Sequence, residues 1–260
     1  IHRQKKKSRI EHVIGMVDYV KMTDECGTVR GGPVEADAVG HNAIMRRYPD
    51  EKGRYRPGTA DRTWTLLGAA SRMPLMELID RALGCALLST SRLEDNRGWF
   101  QIDFSVRELQ EAGLSFDHVE QLNHSYTEHA GVVRGLNYQA DPYAQAKVVS
   151  CIAGAVYSVG VDITPSSDTF GKWCGFELTP DNHRSMFVPR GYAHGFVTLR
   201  DGTELQYLTD NTYSYGHAKS VRFDDSDLDI DWTMNGTVPL RPDILSDKNR
   251  NAPYLRDTVR

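Results

Sequence analysis

Long apolar runs are missing from this 260-residue chain. None approaches the roughly 18 residues that a membrane-spanning helix requires, so no such span is expected. Paired cysteines are missing as well. Cys26, Cys85, Cys151 and Cys174 stand far apart without a CxxC, which argues against a zinc site or disulfide framework and for buried, reduced thiols in a cytoplasmic protein. None of the nine histidines forms an HxH pair, so neither a metal nor a metal-dependent oxygenase chemistry is expected, and no cofactor is predicted. An excess of positive charge is absent too. A formal net charge of −4 carries no nucleic-acid signature. The basic N-terminal IHRQKKKSRIEH is not followed by an apolar stretch, so no secretory signal is expected in the chain as given. No repeat of 20 to 50 residues is evident.

What is present divides into two parts. Residues 1–75 hold fourteen of the 31 Lys and Arg but nine of the 35 Asp and Glu, which joins a positive segment to a negative domain over 76–260. Arginines interleaved with Tyr48, Tyr55 and Trp64 could serve charge and stacking contacts with RNA or phosphate. Frequent glycine and proline instead favour a solvated, loop-rich extension, with one short element over residues 10–22.

From Met76 the pattern changes. Leu78, Ile79, Leu83, Cys85, Leu87 and Leu88 predict a strand pair, and Arg97-Gly98-Trp99-Phe100 opens a further strand after the polar turn at Glu94 to Asn96. Ser105 with Glu108 forms a capping box, Phe104 with Leu109 a hydrophobic staple, and Gly113 a stop, predicting one short helix. Between Val119 and Thr209, short β-branched and aromatic runs are separated by Gly, Pro, Asn or Asp, with breaks at Gly154 and at Pro189 to Gly191. Many short strands at this spacing predict a mainly β fold, a sandwich or a cupin-type jelly-roll barrel with a few short helices.

The stretch GVVRGLNYQ, Gly131 to Gln139, sets polar groups among apolar ones as a pocket-lining strand does. With it stand RGWF at 97–100, LNHS at 122–125, AQAKVV at 144–149 and DTFGKWCGFEL at 168–178. Further on come FVPRGYAHGF at 187–196, ELQYLTDNTYSY at 204–215, DDSDLDIDW at 224–232 and LSDKNRNAP at 245–253. Together these motifs closely resemble the dTDP-4-dehydrorhamnose 3,5-epimerase family, from Met76 to the end of the chain. The acidic run Asp224, Asp225, Asp227, Asp229 and Asp231 lacks the central glycine and closing glutamate of an EF-hand. It matches an ordinary loop of that family, and a calcium site is rejected.

The resemblance implies a nucleotide-diphospho-sugar ligand carrying a ketone, and a homodimer built by strand exchange. Arg134 matches the diphosphate-binding arginine. Arg97 matches a residue reaching the partner's nucleotide site. Gln121, Asn123 and His194 match further contacts to the sugar nucleotide. Epimerisation beside a ketone needs a base for the α proton, a cation for the enolate and an acid to return a proton. Lys147 matches the enolate-stabilising lysine and Tyr213 the tyrosine acid. The bland readings are a snorkelling lysine and a core tyrosine with its hydroxyl bonded.

The base departs from the pattern. The family's GVLRGLHYQ histidine is Asn137 here, and the aspartate that orients it, in an LSxKDxxAP pattern, is Asn249. A carboxamide offers a weakly basic oxygen and an NH2 donor and cannot take the proton. Ile102 and Leu122 also stand where the family commonly has acidic residues. Three functions therefore compete: an enzyme with altered or single-site epimerase or isomerase chemistry, a non-catalytic ligand-binding or assembly protein, and an ordinary 3,5-epimerase using another base such as His124.

Overall fold

In a computed structural model, residues 76–258 are described. The extension expected over 1–75, with its short element at 10–22 and Cys26, lies outside them. In chain order the strands are β1 (Met76–Ala82), β2 (Cys85–Thr90), β3 (Arg92–Asp95), β4 (Gly98–Gln101), β5 (Gln121–Thr127), β6 (Val133–Gln139) and β7 (Lys147–Ala153). They continue with β8 (Val156–Asp162), β9 (Trp173–Leu178), β10 (Arg184–Val188), β11 (Tyr192–Thr198), β12 (Thr203–Thr209) and β13 (Ala218–Ser220). The helices are short: α1 (Val106–Glu111), α2 (Asp247–Arg250) and α3 (Leu255–Thr258). None of the described helices is long and apolar enough to cross a membrane.

A six-stranded sheet has the order β1-β2-β10-β7-β12-β5, a five-stranded sheet the order β13-β6-β11-β8-β9, and β3 pairs with β4 as a separate ribbon. All of these pairings are antiparallel. This is the mainly β, cupin-type barrel expected of the many short strands. The breaks at Gly154 and at Pro189 to Gly191 separate β7 from β8 and β10 from β11.

Alternation along the strands distributes side chains among three apolar clusters. Between the sheets lie Cys85, Leu87, Val149, Cys151, Val156, Met186, Val188, Phe196 and Leu205. The outer face of the five-stranded sheet is backed by the C-terminal segment, where Val133, Leu136, Val159, Val161 and Val197 meet Val221, Leu228, Trp232 and Leu255. The outer face of the six-stranded sheet is covered from α1 onward, with Ala86, Leu88, Val148 and Phe187 against Leu109, Leu114 and Phe116. Each Val, Leu, Phe or Met side chain so removed from water contributes about 1.5–3 kcal/mol before the cost of ordering it. Cys85, Cys151 and Cys174 are free and buried.

The helix expected from its caps is α1. Ser105 Oγ accepts the Glu108 N–H. At the other end Gly113, at φ +70°, donates to the Gln110 carbonyl while Leu114 donates to Leu109, the paired bonds of a Schellman stop. The acidic run near 224 is a turn anchor: Asp225, 2% exposed, accepts the Asp227 and Leu255 N–H groups at 2.9 and 2.7 Å.

Candidate functional site

The site begins with a bulge in β6. Asn137 pairs with His194 on β11, but Arg134 pairs with Phe196, so three residues of one strand advance against two of the other. Strict alternation would put Arg134 and Asn137 on opposite faces. The bulge instead lets Val133 and Leu136 both pack outward, leaving Arg134 and Asn137 on the interior side. Gly135 makes this possible. It sits at φ +117°, and a Cβ there would meet Gly195 Cα at 2.6 Å and the His194 carbonyl oxygen at 2.7 Å.

Neighbouring strands complete the group. On β11, Phe196 belongs to the interior cluster and Ala193 and Val197 to the outer one, so His194 faces inward. On β7, Lys147 shares a face with Val149 and Cys151 of the interior cluster. On β5, Gln121, Asn123 and Ser125 are half-buried while Leu122, His124 and Tyr126 are exposed. His124 points outward and meets Glu204 at 2.8 Å, away from the interior group.

Asn137 and Asn249 touch although 112 positions separate them: Asn249 Nδ2 donates to Asn137 Oδ1 at 3.2 Å. Their polarity follows from a backbone group. The Gly135 N–H can only donate, and it donates to Asn249 Oδ1 at 3.4 Å, with the Ser246 hydroxyl a second donor at 3.1 Å. Asn249 must therefore turn its NH2 toward Asn137. Asn137 Oδ1 receives that NH2 and also the Ser220 hydroxyl at 2.6 Å. The remaining Asn137 atom is an NH2, and no described residue accepts from it. Position 137 thus presents a hydrogen-bond donor.

Lys147 Nζ donates to the Asn137 main-chain oxygen at 3.4 Å. Burial pushes its pKa down to about 8, with the Lys248 charge acting in the same direction, because a desolvated ammonium is disfavoured. His194, 8% exposed, meets Ser158 Oγ at 2.9 Å through Nε2. Burial, reinforced by Lys147, pushes it down to about 3, so the ring is neutral at physiological pH. Asp210 braces the start of β7: its carboxylate accepts the Ala146 N–H at 2.7 Å and Arg190 Nε at 2.9 Å.

Tyr213 follows β12 and is 56% exposed. The Tyr213 N–H donates to Gln121 Oε1, Gln139 Nε2 donates to the Thr212 carbonyl at 3.0 Å, and the Ser214 N–H donates to Gln139 Oε1 at 2.6 Å. Its main chain is thereby fixed while no described residue bonds its hydroxyl, unlike a core tyrosine. Arg134 donates to the Tyr126 carbonyl at 2.8 Å, and its charge lies close enough to Tyr207 to oppose the upward push of burial on that phenol. Asn123 Nδ2 reaches the Tyr207 carbonyl at 3.5 Å. Arg97 is not brought to this group: it stands in the turn between β3 and β4 and pairs with Asp95, Nε to Oδ2 at 3.1 Å.

The family model for dTDP-4-dehydrorhamnose 3,5-epimerase matches residues 81–257. The chain belongs to this epimerase family. A dTDP-4-dehydrorhamnose 3,5-epimerase of Shigella flexneri is 42% identical over 164 residues, 63% of this chain and 86% of the relative. The crystal structure of dTDP-4-dehydrorhamnose 3,5-epimerase from Elizabethkingia anophelis matches with a TM-score of 0.65 at 39% identity, over 72% of this chain and 100% of that one. The dTDP-6-deoxy-D-glucose-3,5-epimerase of Legionella pneumophila, solved in complex with dTDP-4-keto-L-rhamnose, matches with a TM-score of 0.63 at 33% identity, over 70% and 93% of the two chains.

Within this member of the 3,5-epimerase family, sequence reasoning missed Ser220, Ser158, Gln139 and Tyr207. Gln139 closes the GVVRGLNYQ motif, and Ser158 is a polar residue inside an apolar strand; both were visible signals. Ser220 has no local signal, because its role is its bond to Asn137. Among the described residues no three His, Cys, Asp or Glu side chains gather as a metal would need.

Proposed function

We propose that this epimerase-family chain binds a nucleotide-diphospho-4-keto sugar between its two sheets and carries out altered chemistry there, epimerising or isomerising at a single site. The observation that carries this reading is the contact of Asn137 with Asn249 beside Lys147. Both amides stand where the family resemblance expects a histidine and its aspartate, while a half-buried lysine and an unbonded tyrosine hydroxyl remain. The Legionella relative's dTDP-4-keto-L-rhamnose complex supports the ligand class. Arg134 is suited to phosphate oxygens by its planar fork. Gln121, Asn123 and neutral His194 supply directional contacts to the sugar and nucleotide, and Tyr213 the acid.

A second reading, a binding protein without turnover, is favoured by one observation. Asn137 Oδ1 already accepts two hydrogen bonds, which leaves no acceptor at the position of the usual base. The ordinary 3,5-epimerase reading is weakened by His124, which is engaged with Glu204 on the outer face.

The deciding experiment incubates the protein with dTDP-4-keto-6-deoxyglucose in D2O and follows deuterium entry by NMR. Exchange at one ring carbon, or a new product, supports the altered enzyme. Exchange at both C3 and C5 with ordinary epimerase rates refutes it. Saturable binding without exchange gives the binding protein.

We also propose a homodimer in the cytoplasm. Leu78, Ile79, Leu93, Trp99 and Phe100 are exposed on β1 and on the β3–β4 ribbon, apolar surface suited to a second copy. In such a dimer Arg97, standing on that ribbon, would serve the partner's ligand.

A further inference from the structure

Building on the reading that altered chemistry takes place here, we propose an exchange of roles: Lys147 takes the proton from the carbon beside the ketone, and the Asn137 carboxamide holds the oxygen as it becomes an enolate. The family resemblance implies the reverse, with the lysine serving the enolate and position 137 the proton.

The inventory of hydrogen-bonding groups supports this assignment. Asn137 directs its oxygen at Ser220 and Asn249 and keeps an NH2 with no acceptor among the described residues. That NH2 cannot accept a proton but can donate to a carbonyl or enolate oxygen. The other interior amides are also committed. Gln121 Oε1 accepts from Tyr213, Gln139 Oε1 from Ser214, and Asn249 Oδ1 from Gly135 and Ser246. No amide oxygen is basic enough to remove a carbon-bound proton.

His194 is engaged with Ser158 and is a weak base because burial holds its pKa near 3. The Asp210 carboxylate serves Ala146 and Arg190. Lys147 remains. As a free amine it has two N–H groups and a lone pair, so it can keep its bond to the Asn137 main-chain oxygen and still accept a proton.

The charged surroundings favour that free amine. Lys248 on α2 lies near enough to disfavour a second positive charge, and His194 on β11 is neutral. Asp210 and Arg190 pair with each other. Asn137 on β6, Val188 on β10 and Thr209 on β12, the strand neighbours of Lys147 or of its site, add no charge. With a pKa near 8, about a tenth of Lys147 is unprotonated at pH 7.

In the step itself, Lys147 Nζ takes the α proton as the C–H pair becomes the C=C bond. The carbonyl π pair moves onto oxygen, where the Asn137 NH2 donates to it. Tyr213 then gives its hydroxyl proton to the carbon as the enolate collapses back to the ketone; Lys147 releases its proton to water and Tyr213 takes one from water, so the cycle closes with no oxidant or reductant consumed.

The test is the rate of deuterium entry into dTDP-4-keto-6-deoxyglucose between pD 6 and 10, with dTDP affinity measured in parallel. A base raises the rate about tenfold per pH unit below its pKa and then levels off, so the expected profile rises and flattens near 8. Lys147→Arg keeps a permanent cation and is expected to lose exchange at least 100-fold while dTDP binding stays within a few-fold. Asn137→Ala is expected to slow exchange on the order of 100-fold, the effect of losing one oxyanion donor.

A rate that falls as pH passes 8, or an arginine variant that keeps exchange, overturns the exchange of roles and leaves the altered enzyme standing. Binding without exchange at any pH overturns both. The profile of the unmodified protein does not depend on any variant folding.

Discussion

Replacing Lys147 by methionine is expected to stabilise the protein at pH 7. Folding takes the lysine from a pKa of 10.5 to about 8, and each factor of ten in proton affinity corresponds to about 1.4 kcal/mol, so burying the ammonium costs about 3 kcal/mol at neutral pH. Methionine has a similar length and no charge, but it gives up the bond to the Asn137 main-chain oxygen, a loss of about 1 kcal/mol. A net gain of about 2 kcal/mol remains. The pH dependence identifies the cause. Because the folded-state pKa lies below the unfolded one, the penalty is fully present below pH 8, shrinks between 8 and 10.5, and is gone above 10.5. Urea denaturation of both proteins at pH 7 and 10.5, at one protein concentration, should show the methionine variant ahead by about 2 kcal/mol at pH 7 and the wild type ahead by about 1 kcal/mol at the higher pH. A gap that does not change with pH, or a wild type already more stable at pH 7, would refute the electrostatic account of this lysine.

Other outcomes follow from single contacts. The double variant Asn137→His with Asn249→Asp is expected to raise deuterium exchange on the order of 100-fold or more by restoring a proton acceptor and its orienting carboxylate; a folded, ligand-binding but inert double variant would show that these positions are not the family's dyad. Gly135→Ala should cost more than about 3 kcal/mol or prevent folding, since it adds a Cβ 2.6 Å from Gly195 Cα at φ +117°, and thermal unfolding of the purified variant reads the cost. Ser105→Ala should lower stability by about 1 kcal/mol through loss of the α1 cap. Sedimentation at micromolar concentration should give twice the 29.3 kDa chain mass; a monomer would contradict the dimer.

Local chemistry made much of the fold legible from the residues alone. Ser105, Glu108 and Gly113 mark α1 because a cap and a stop act within one or two turns, and Gly154 and Pro189 to Gly191 mark strand ends because those residues restrict or release the backbone where they stand. The motifs that place the chain in its family are likewise contiguous stretches. What tertiary structure alone decided is which polar groups share a face and what each can do there. Counting by twos puts Arg134 and Asn137 on opposite sides of β6, and only pairing with β11 reveals the bulge that unites them. Asn249 is brought to Asn137 across 112 positions, and the Gly135 N–H then dictates which way both amides turn. Lys147 reads as an ordinary lysine until its strand neighbours and Asn137 half-bury it. Desolvation is a property of what surrounds a charge, and those surroundings come from strands and a helix that are remote from it along the chain.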